Sequence, residues 1–407
     1  MPRAAEPPLL EVLALAPLPY LSRGRPAFHG GGTVFYAQLL GRLARRGHRV
    51  EVYAEAPRST GEQRTPLVEE VANLRVRPFA YEHHSSHGAL EPGALRRTRA
   101  RLEELLGAAF AFAPPDVVLV GRDVVLPLVL EACEQRRVPV VLVSHGPAVA
   151  ALTAGRYPAE LADPLRAALA RADLVVAVAR HVEADLRRLG VTRVVTVPNA
   201  VDTARFRPAE RDAALLRALD VADDAPVVVH VSLLREWKRA QDLVESAPGV
   251  LRAEPRTVYV LVGDGPSREA LVQRAAALGV AASFRFVGEV LHAEMPRYLG
   301  LADVVVHPSE REGFPLLYRE AQACGRALLA SDIPPAREAI EPEVTGVLFP
   351  VGDVARLAAE TRRLRADAPL RRRLGAAARR EAERCGADVW TAAYERALRG
   401  AVARRAR

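Results

Sequence analysis

The feature that most constrains the fold is a recurring alternation of short, valine-rich apolar runs with longer segments of helical periodicity. The first run, 9–16, is followed by an amphipathic segment, 34–46, and then by a second run, 49–54. A strand, a helix and a strand in this order form a parallel pair with a right-handed crossover. The pattern therefore predicts an α/β fold with parallel sheets. Further strands are expected at 116–121, 138–144, 173–178, 226–231, 258–262, 284–288, 302–307 and 327–331.

The length of the chain and its punctuation predict two domains. A chain of 407 residues is long enough for two or three domains of roughly 100–200 residues each. Residues 194–208 lie midway, and the proline-rich text after them is typical of an interdomain linker. A second series of alternating strands and helices begins at 226. We therefore expect a first domain over residues 1–205 and a second over residues 206–385.

The composition excludes several classes of protein. The three cysteines, Cys133, Cys324 and Cys385, are far apart and show no C-x-x-C spacing, so neither a disulfide framework nor a zinc site is predicted. No run approaches the roughly 18 apolar residues that a spanning helix needs, and we expect a cytoplasmic protein. The net charge of +8 suits acidic ligands. The basic residues are scattered over helical text without interleaved aromatic residues, so no nucleic-acid partner is predicted.

Among the 57 Lys and Arg residues there is a single lysine, Lys238. Most surface positions accept either cation, but a compact ammonium is a different chemical tool from a planar guanidinium. The one lysine in an arginine-rich chain therefore indicates a functional position.

The segment 307–331 predicts an anion site. Three valines end a buried strand, Gly313 provides a flexible point, Pro315 is expected as the first helical residue, and Gly325 closes the helix. A strand that leads through a loop into a helix N-terminus presents free N–H groups to an anion. Glu312 and Glu320 would repel a phosphate, so they are better suited to accept hydrogen bonds from sugar and ribose hydroxyls. This combination predicts a nucleotide-sugar ligand.

The spacing of Glu312 and Glu320 resembles the E-x7-E motif of retaining glycosyltransferases of the family-4 type, and the flanking HPS, EGF and EAxACG residues match as well. The alternative is an ordinary capped helix with solvated glutamates. The resemblance implies the GT-B architecture, with two doubly wound Rossmann-like domains facing across a cleft. It assigns the acceptor to residues 1–205 and the donor to residues 206–385, and has the C-terminal helix, 386–407, pack back on the first domain. Glu312 would contact the donor sugar and Glu320 the nucleotide ribose.

A second constellation follows the strand at 226–231, where Ser232, a further donor-binding candidate, leads to Arg235 and Lys238. Two cations at this point can stabilise the negative charge that develops on a leaving diphosphate. The commoner family pattern has Gly-Arg-Leu where this chain has Ser-Leu-Leu, and the arginine falls two residues later, at Arg235. That variant resembles the subgroup that adds N-acetylglucosamine to small acceptors such as malate. The alternative is an exposed cationic turn.

The resemblance also implies contacts from both domains. Gly31 and Gly32 would end a loop close to the donor phosphates and the acceptor, and His145 would contact the donor sugar near the reacting carbon. A flexible loop and a structural turn histidine are the respective alternatives. The remaining donor-binding candidates are Val287 and Gly288, at the nucleotide base, and Gly313, Phe314, Pro315 and Leu316, at the anion site.

No metal site is predicted. His83, His84 and His87 cluster in the irregular segment 60–91, but they have no obvious carboxylate or cysteine partner. The sequence also has no D-x-D triad of the kind that metal-dependent transferases use to hold a divalent cation.

These observations predict a metal-independent, retaining glycosyltransferase without a cofactor. Its partners would be a nucleotide-sugar donor, UDP-linked as in UDP-GlcNAc or UDP-glucose, and a small-molecule acceptor. We expect a monomer or homodimer, and peripheral membrane contact is permitted by the arginine-rich helices but not indicated. Two alternatives remain, a nucleotide-sugar epimerase or hydrolase on the same fold and a non-catalytic nucleotide-sugar binder.

Overall fold

The computed structural model describes residues 8–22, 25–26, 30–57, 64–66, 68, 70–81, 92–112 and 114–406. The chain divides into two compact units. The first contains Met1–Arg25, Gly32–Pro198 and Thr391–Arg407, and the second contains Pro26–Gly31 and Asn199–Trp390.

The first unit is built on a parallel sheet with the strand order β10-β9-β8-β7-β1-β4-β6. Three further short strands form a small sheet with the order β3-β2-β5. The strands up to residue 198 are β1 (Glu11–Ala16), β2 (Tyr20–Ser22), β3 (Arg25–Pro26), β4 (Arg49–Pro57), β5 (Arg64–Pro66), β6 (Leu74–Tyr81), β7 (Val117–Val120), β8 (Val140–Ser144), β9 (Leu174–Ala177) and β10 (Val194–Thr196). The helices are α1 (Gly31–Arg45), α2 (Pro92–Phe112), α3 (Leu126–Glu134), α4 (Pro147–Thr153), α5 (Ala159–Arg171) and α6 (Arg180–Arg188).

The second unit is built on a six-stranded parallel sheet with the order β13-β12-β11-β14-β15-β16. Its strands are β11 (Val227–Val231), β12 (Val258–Val262), β13 (Phe284–Gly288), β14 (Val304–His307), β15 (Ala327–Ser331) and β16 (Val347–Phe349). Its helices are α7 (Ala213–Ala218), α8 (Ala240–Leu251), α9 (Arg268–Ala277), α10 (Met295–Leu301), α11 (Leu316–Ala323), α12 (Pro334–Ala339), α13 (Val354–Ala366), α14 (Ala368–Arg384) and, extending beyond this unit, α15 (Ala387–Arg405).

The central strands are continuous apolar runs because helices cover both faces of a parallel sheet. Every residue of β7, β8, β14 and β15 is buried. In the second unit the core lies between the sheet and α8, α9 and α13, and it includes Leu243, Tyr259, Leu329 and Leu357. Burial of this kind stabilises the fold by about 25 cal/mol per Å² of apolar surface.

Two glycines allow close packing where strands end. A Cβ on Gly121, after β7, would lie 2.8 Å from the Tyr36 ring and 3.1 Å from the Cα of Ala16. The Tyr36 hydroxyl donates to the Val143 carbonyl, so α1 packs tightly against the carboxyl end of this sheet. In the second unit Gly263 has a φ of +124°, and a Cβ there would overlap the Ser232 carbonyl oxygen at 1.9 Å. Both positions therefore require glycine.

Residues 391–405 of α15 pack within the first unit. The buried Tyr394 ring lies 5.8 Å from the Phe35 ring. Glu395 accepts a hydrogen bond from Arg46 at 3.0 Å, and its carboxylate lies 3.1 Å from His48 Nε2. An aromatic contact and an ion pair thus hold this helix against α1 and the turn that follows it.

The structure confirms the predicted α/β class with two doubly wound parallel sheets, but it corrects several details. Helix α1 begins at Gly31, three residues before the predicted start at Val34, so Gly31 and Gly32 form its first turn and not the end of a loop. The segment 60–91, predicted to be irregular, contributes the edge strand β6. Residues 194–196, for which no strand was predicted, form β10. Edge strands carry a weak apolar signal because charged side chains, here Arg75 and Arg77 of β6, discourage pairing with another chain.

No helix in the described part of the chain is long and apolar enough to cross a membrane.

Candidate functional site

Four side chains meet at the carboxyl end of the second sheet, and we call them the Glu312 cluster: Glu312, Lys238, His307 and Ser309. The Glu312 Oε1 atom lies 2.5 Å from Lys238 Nζ, 2.8 Å from Ser309 Oγ and 3.0 Å from His307 Nε2. All three groups donate to this one oxygen, because an ionised carboxylate can only accept. His307 ends β14, and the loop after it carries Ser309 and Glu312 back over the strand.

The environment keeps Glu312 ionised. Burial by itself would raise the pKa of this carboxyl group, but the charge of Lys238 and the hydrogen bond from His307 outweigh burial and hold the pKa well below its ordinary value. Burial lowers the pKa of His307, although the hydrogen bond to Glu312 and the charge of that carboxylate act in the opposite direction. The cluster therefore contains a buried, charge-assisted pair, Lys238 and Glu312, and a neutral histidine, His307, that orients the carboxylate.

A second buried histidine, His230, contacts Ser232, which is predicted to bind the sugar donor. The Nδ1 atom of His230 lies 3.0 Å from the Val306 carbonyl oxygen, and its Nε2 atom lies 2.7 Å from Ser232 Oγ. The carbonyl can only accept, so His230 Nδ1 donates, and its Nε2 accepts the Ser232 hydroxyl proton. Burial and the proximity of His307 lower the pKa of His230 to about 3, which is consistent with this neutral tautomer. Ser232 therefore keeps its oxygen lone pairs for another donor.

The turn that carries Lys238 is a 3₁₀ turn over Glu236–Lys238. The Trp237 carbonyl accepts from the Glu310 N–H at 2.9 Å and lies 3.2 Å from Ser309 Oγ, which ties this turn to the loop after β14. The guanidinium carbons of Arg235 and Arg311 each lie 5.2 Å from the Trp237 ring centroid. The predicted pair of Arg235 and Lys238 is thus separated: Lys238 faces Glu312, and Arg235 packs on the indole.

The segment predicted to hold an anion has the expected strand, loop and helix, with one correction. Pro315 has φ −61° and ψ 131°, which makes it the N-cap and not the first helical residue, and α11 begins at Leu316. The fixed φ of proline suits either position, and the extended ψ decides between them. The Phe314 carbonyl accepts from the buried Asn199 Nδ2 at 2.6 Å. Gly313 and Phe314 are thereby held by a side chain far away in the sequence, and the first N–H groups of α11 have no partner within the helix.

The second predicted carboxylate has a partner that the sequence interpretation missed. Glu320 is buried inside α11, and its Oε1 lies 2.6 Å from His292 Nε2. His292 opens the 3₁₀ turn His292–Glu294 that follows β13. Twenty-eight residues separate the two positions, so no local spacing in the sequence could indicate their contact.

Val287 and Gly288, predicted to lie at the nucleotide base, end β13. Gly288 has a φ of +83°, and its carbonyl accepts from the Gly263 N–H at 2.8 Å. This carbonyl therefore already has a partner just after β12, in which the register with β13 shifts after Leu261.

In the first unit, His145 follows β8 directly, as predicted. Its ring packs edge-on against Phe35, at 4.8 Å, and lies 5.5 Å from Tyr36. Its Nε2 is buried without a hydrogen-bond partner in the described part of the chain. Burial, with a smaller contribution from Arg122, lowers the pKa of His145 to about 4. A buried imidazole nitrogen without a hydrogen bond lowers the stability of the protein unless a ligand supplies the missing partner.

Asp123 is a second residue that sequence reasoning missed. It lies just after β7, is buried, and accepts from Ser144 Oγ at 2.7 Å. Burial raises the pKa of Asp123, and the Ser144 hydrogen bond opposes that rise only in part. Buried polar groups at the carboxyl end of a parallel sheet are typical of ligand sites. An aspartate two residues after the apolar run 116–121 was the available signal.

Among the described residues, no group of three or more His, Cys, Asp or Glu side chains is arranged to hold a metal ion. The histidines considered for that role, His83, His84 and His87, lie outside the described residues. The expectation of a metal-independent site stays a prediction.

The fold and the Glu312 cluster define a class, the GT-B glycosyltransferases, and comparisons with known proteins agree. The family model "Glycosyltransferase Family 4" matches residues 29–205, and "Glycosyl transferases group 1" matches residues 213–381. The chain is 33% identical to a D-inositol 3-phosphate glycosyltransferase of Geodermatophilus obscurus, over 96% of this chain and 88% of that protein.

Two solved structures show the same fold. Sucrose-phosphate synthase from Thermosynechococcus elongatus has a TM-score of 0.78 and 23% identity, over 96% of this chain and 98% of that one. Anabaena Alr3699/HepE in complex with UDP and glucose has a TM-score of 0.76 and 19% identity, over 96% and 99%. The chain belongs to the group 1, family-4 type of glycosyltransferases.

Proposed function

We propose that this glycosyltransferase moves a sugar from a UDP-linked donor to a small-molecule acceptor, with retention of the anomeric configuration and without a metal ion. The observation that carries the proposal is the Glu312 cluster: the one lysine of the chain, Lys238, is held 2.5 Å from Glu312 at the carboxyl end of the second sheet. Ligands of open α/β sheets bind at that end.

In the proposed reaction the bond between the anomeric carbon and the diphosphate oxygen breaks while the acceptor oxygen attacks from the same face. The departing phosphate oxygen takes the acceptor proton. Lys238 and the N-terminus of α11 stabilise the negative charge of the diphosphate as it leaves, a contribution of several kcal/mol in a dry site. Arg235 would assist by leaving the Trp237 ring and turning to the diphosphate.

The donor is assigned by hydroxyl acceptors and by a structural neighbour. Glu312, through the oxygen that the cluster leaves open, and His145, through its unsatisfied Nε2, would hold the sugar. Glu320 would accept from the ribose hydroxyls, and Val287 and Gly288 would contact the base. The HepE structure is described as a complex with UDP and glucose, which supports uracil as the base.

The acceptor is proposed to be a small polyol carrying a phosphate. The relative from Geodermatophilus obscurus is named a D-inositol 3-phosphate glycosyltransferase, and the net charge of +8 suits an anionic acceptor. The Ser-Leu-Leu variant at 232–234 favours N-acetylglucosamine as the transferred sugar.

The first test is calorimetric binding of UDP, GDP and ADP in EDTA to the wild type, to Lys238→Ala and to Arg274→Ala. Arg274 lies on the surface of α9 and pairs with Glu245 of α8. The Arg274→Ala variant is the control, because it also removes one cation. We expect UDP to bind without metal, Lys238→Ala to weaken it at least tenfold, and Arg274→Ala to leave it unchanged. Binding that requires Mg²⁺ or ignores Lys238 would refute the proposed site.

A second test separates transfer from the alternative reactions. The enzyme is incubated with UDP-GlcNAc or UDP-glucose, with and without inositol phosphate, and the product is followed by proton NMR. An α-linked product that forms only with acceptor supports retaining transfer. Release of free sugar, or an epimerised donor, at the same rate without acceptor would favour a hydrolase or epimerase.

A further inference from the structure

The contact between His292 and Glu320 suggests a role for a residue outside the E-x7-E motif. His292 Nε2 lies 2.6 Å from Glu320 Oε1. The side chain of Glu320 is 8% exposed and that of His292 is 20% exposed, so this pair sits at the border between core and solvent. A hydrogen bond to a charged acceptor at such a border is stronger than one in water.

His292 is held in place from its other side. Its ring lies 5.3 Å from the ring of Phe206, with the planes 43° apart, and Phe206 is fully buried. The backbone at Phe206 is itself fixed, because its carbonyl accepts from Arg379 at 2.7 Å. The imidazole is therefore packed against Phe206 and hydrogen-bonded to Glu320, which limits the rotamers that it can adopt.

The arrangement leaves most of the carboxylate available. An ionised carboxylate has about four acceptor sites on its two oxygens. His292 uses one of them, and Glu320 Oε2 makes no hydrogen bond to any residue that the structure describes. A vicinal diol needs two acceptor sites in fixed positions, and a carboxylate whose rotation is blocked can offer them without loss of side-chain entropy on binding.

We propose that His292 is a positioning residue that holds Glu320 in the orientation that recognises the ribose diol of the donor nucleotide. The inference rests on the proposed function, because it assumes that Glu320 meets the ribose. It adds a specificity determinant for ribose over deoxyribose, supplied by the turn after β13 and not by α11 itself.

The experiment compares each nucleoside diphosphate with its 2′-deoxy counterpart. UDP, GDP and ADP and their 2′-deoxy forms are titrated into the full-length chain by calorimetry, and the ratio of the two dissociation constants is taken for the base that binds. In the wild type we expect the deoxy form to bind roughly ten- to hundredfold more weakly, as for a hydrogen bond to a charged group.

Five variants test the assignment. Glu320→Gln and His292→Leu should each reduce the ratio to a few-fold, and the double variant should reduce it no further. His292→Gln, whose amide nitrogen reaches the position of Nε2, should restore most of it. Arg297→Leu removes an exposed cation from neighbouring α10, where it pairs with Asp212, and should leave the ratio unchanged.

The outcomes separate the two proposals. If Glu320→Gln lowers the ratio and His292→Leu weakens both nucleotides equally, His292 is merely structural and the inference alone is wrong. If Glu320→Gln keeps the wild-type ratio, the ribose role of Glu320 in the proposed function is wrong and the inference falls with it. If none of the three nucleotides binds the wild type, both proposals are refuted.

Discussion

Lys238 Nζ and Glu312 Oε1 lie 2.5 Å apart, although 74 residues separate them in the chain. Their side chains are only 18% and 11% exposed. Removing water from two opposite charges costs free energy that their attraction recovers only if both are present. The pair therefore links the stability of the second unit to the residues proposed to bind the donor.

Breaking this pair should destabilise the protein more than removing it. Lys238→Met leaves Glu312 buried without its cation, and we expect a loss on the order of 3 kcal/mol in the free energy of unfolding. The double variant Lys238→Met/Glu312→Gln should recover most of that loss, to within about 1 kcal/mol of the wild type. Urea unfolding measures both. The exposed pair of Arg274 and Glu245 is the control, since Arg274→Met should leave the free energy of unfolding nearly unchanged. Equal costs at the two sites would contradict the prediction.

His230 should make the protein less stable as the pH falls. The folded state holds the pKa of His230 at about 3, against 6.5 as the ordinary value. Between these values the unfolded chain binds a proton that the folded chain does not, so stability is lost as pH decreases from 6.5 towards 3. Each pH unit contributes up to about 1.4 kcal/mol.

The pH 5–6.5 interval tests this effect apart from carboxylate titration. In thermal unfolding, His230→Gln should show a shallower fall of the midpoint across this interval than the wild type does. Glutamine retains a donor and an acceptor for Val306 and Ser232 but does not titrate. An unchanged slope would mean that His230 is protonated in the folded state.

Gly121 should not tolerate a methyl group. A Cβ at this position would lie 2.8 Å from the ring of Tyr36, so Gly121→Ala must displace α1 or the end of β7. We expect a loss of about 1–3 kcal/mol in unfolding free energy. Gly107 in α2 is the matched control, because a Cβ there has no atom within 4 Å. Gly107→Ala should stabilise the protein by about 0.5–1 kcal/mol, as expected for alanine in a helix. Similar effects of the two substitutions would contradict the packing described for Tyr36.

His145 should act as a neutral group in the proposed transfer. Burial lowers its pKa to about 4, so it is uncharged above that value and becomes protonated only as the pH falls through it. The pH profile of kcat/KM should therefore show no transition from His145 between pH 5 and 8. His145→Ala should lower kcat/KM about 10- to 100-fold, the cost of one hydrogen bond to the reacting sugar. A transition near pH 6.5 that disappears in His145→Ala would refute a neutral role.

Much of the fold was predictable because parallel strands buried on both faces must be continuous apolar runs. The runs at 116–121 and 258–262 correspond to β7 and β12. The misses lie where that signal is weak. β6 is an edge strand whose arginines alternate with apolar residues. The start of α1 was set too late, at Val34, because Gly31 and Gly32 have low helix propensity.

The candidate site divides in the same way. Motif spacing indicated Lys238, Glu312 and Glu320, and the resemblance indicated His145, because a motif is a local pattern on one strand, loop and helix. The partners of these residues come from other segments. His292 reaches Glu320 across 28 residues and Asn199 reaches Phe314 across 115. The sequence alone suggested that Arg235 joins Lys238, whereas the structure has it on Trp237.

The sequence by itself determined the alternation of strands and helices, the family, and the identity of the residues with useful chemistry. These depend on local periodicity and on residue type, which a linear text contains. Only the tertiary structure decided which oxygen of Glu312 is occupied, which tautomer His230 adopts, and which histidine orients Glu320. Those properties depend on distances of about 3 Å between segments that are far apart along the chain, and on the loss of water around them. Hydrogen bonding and pKa values follow from that environment, and it exists only once the two sheets have formed.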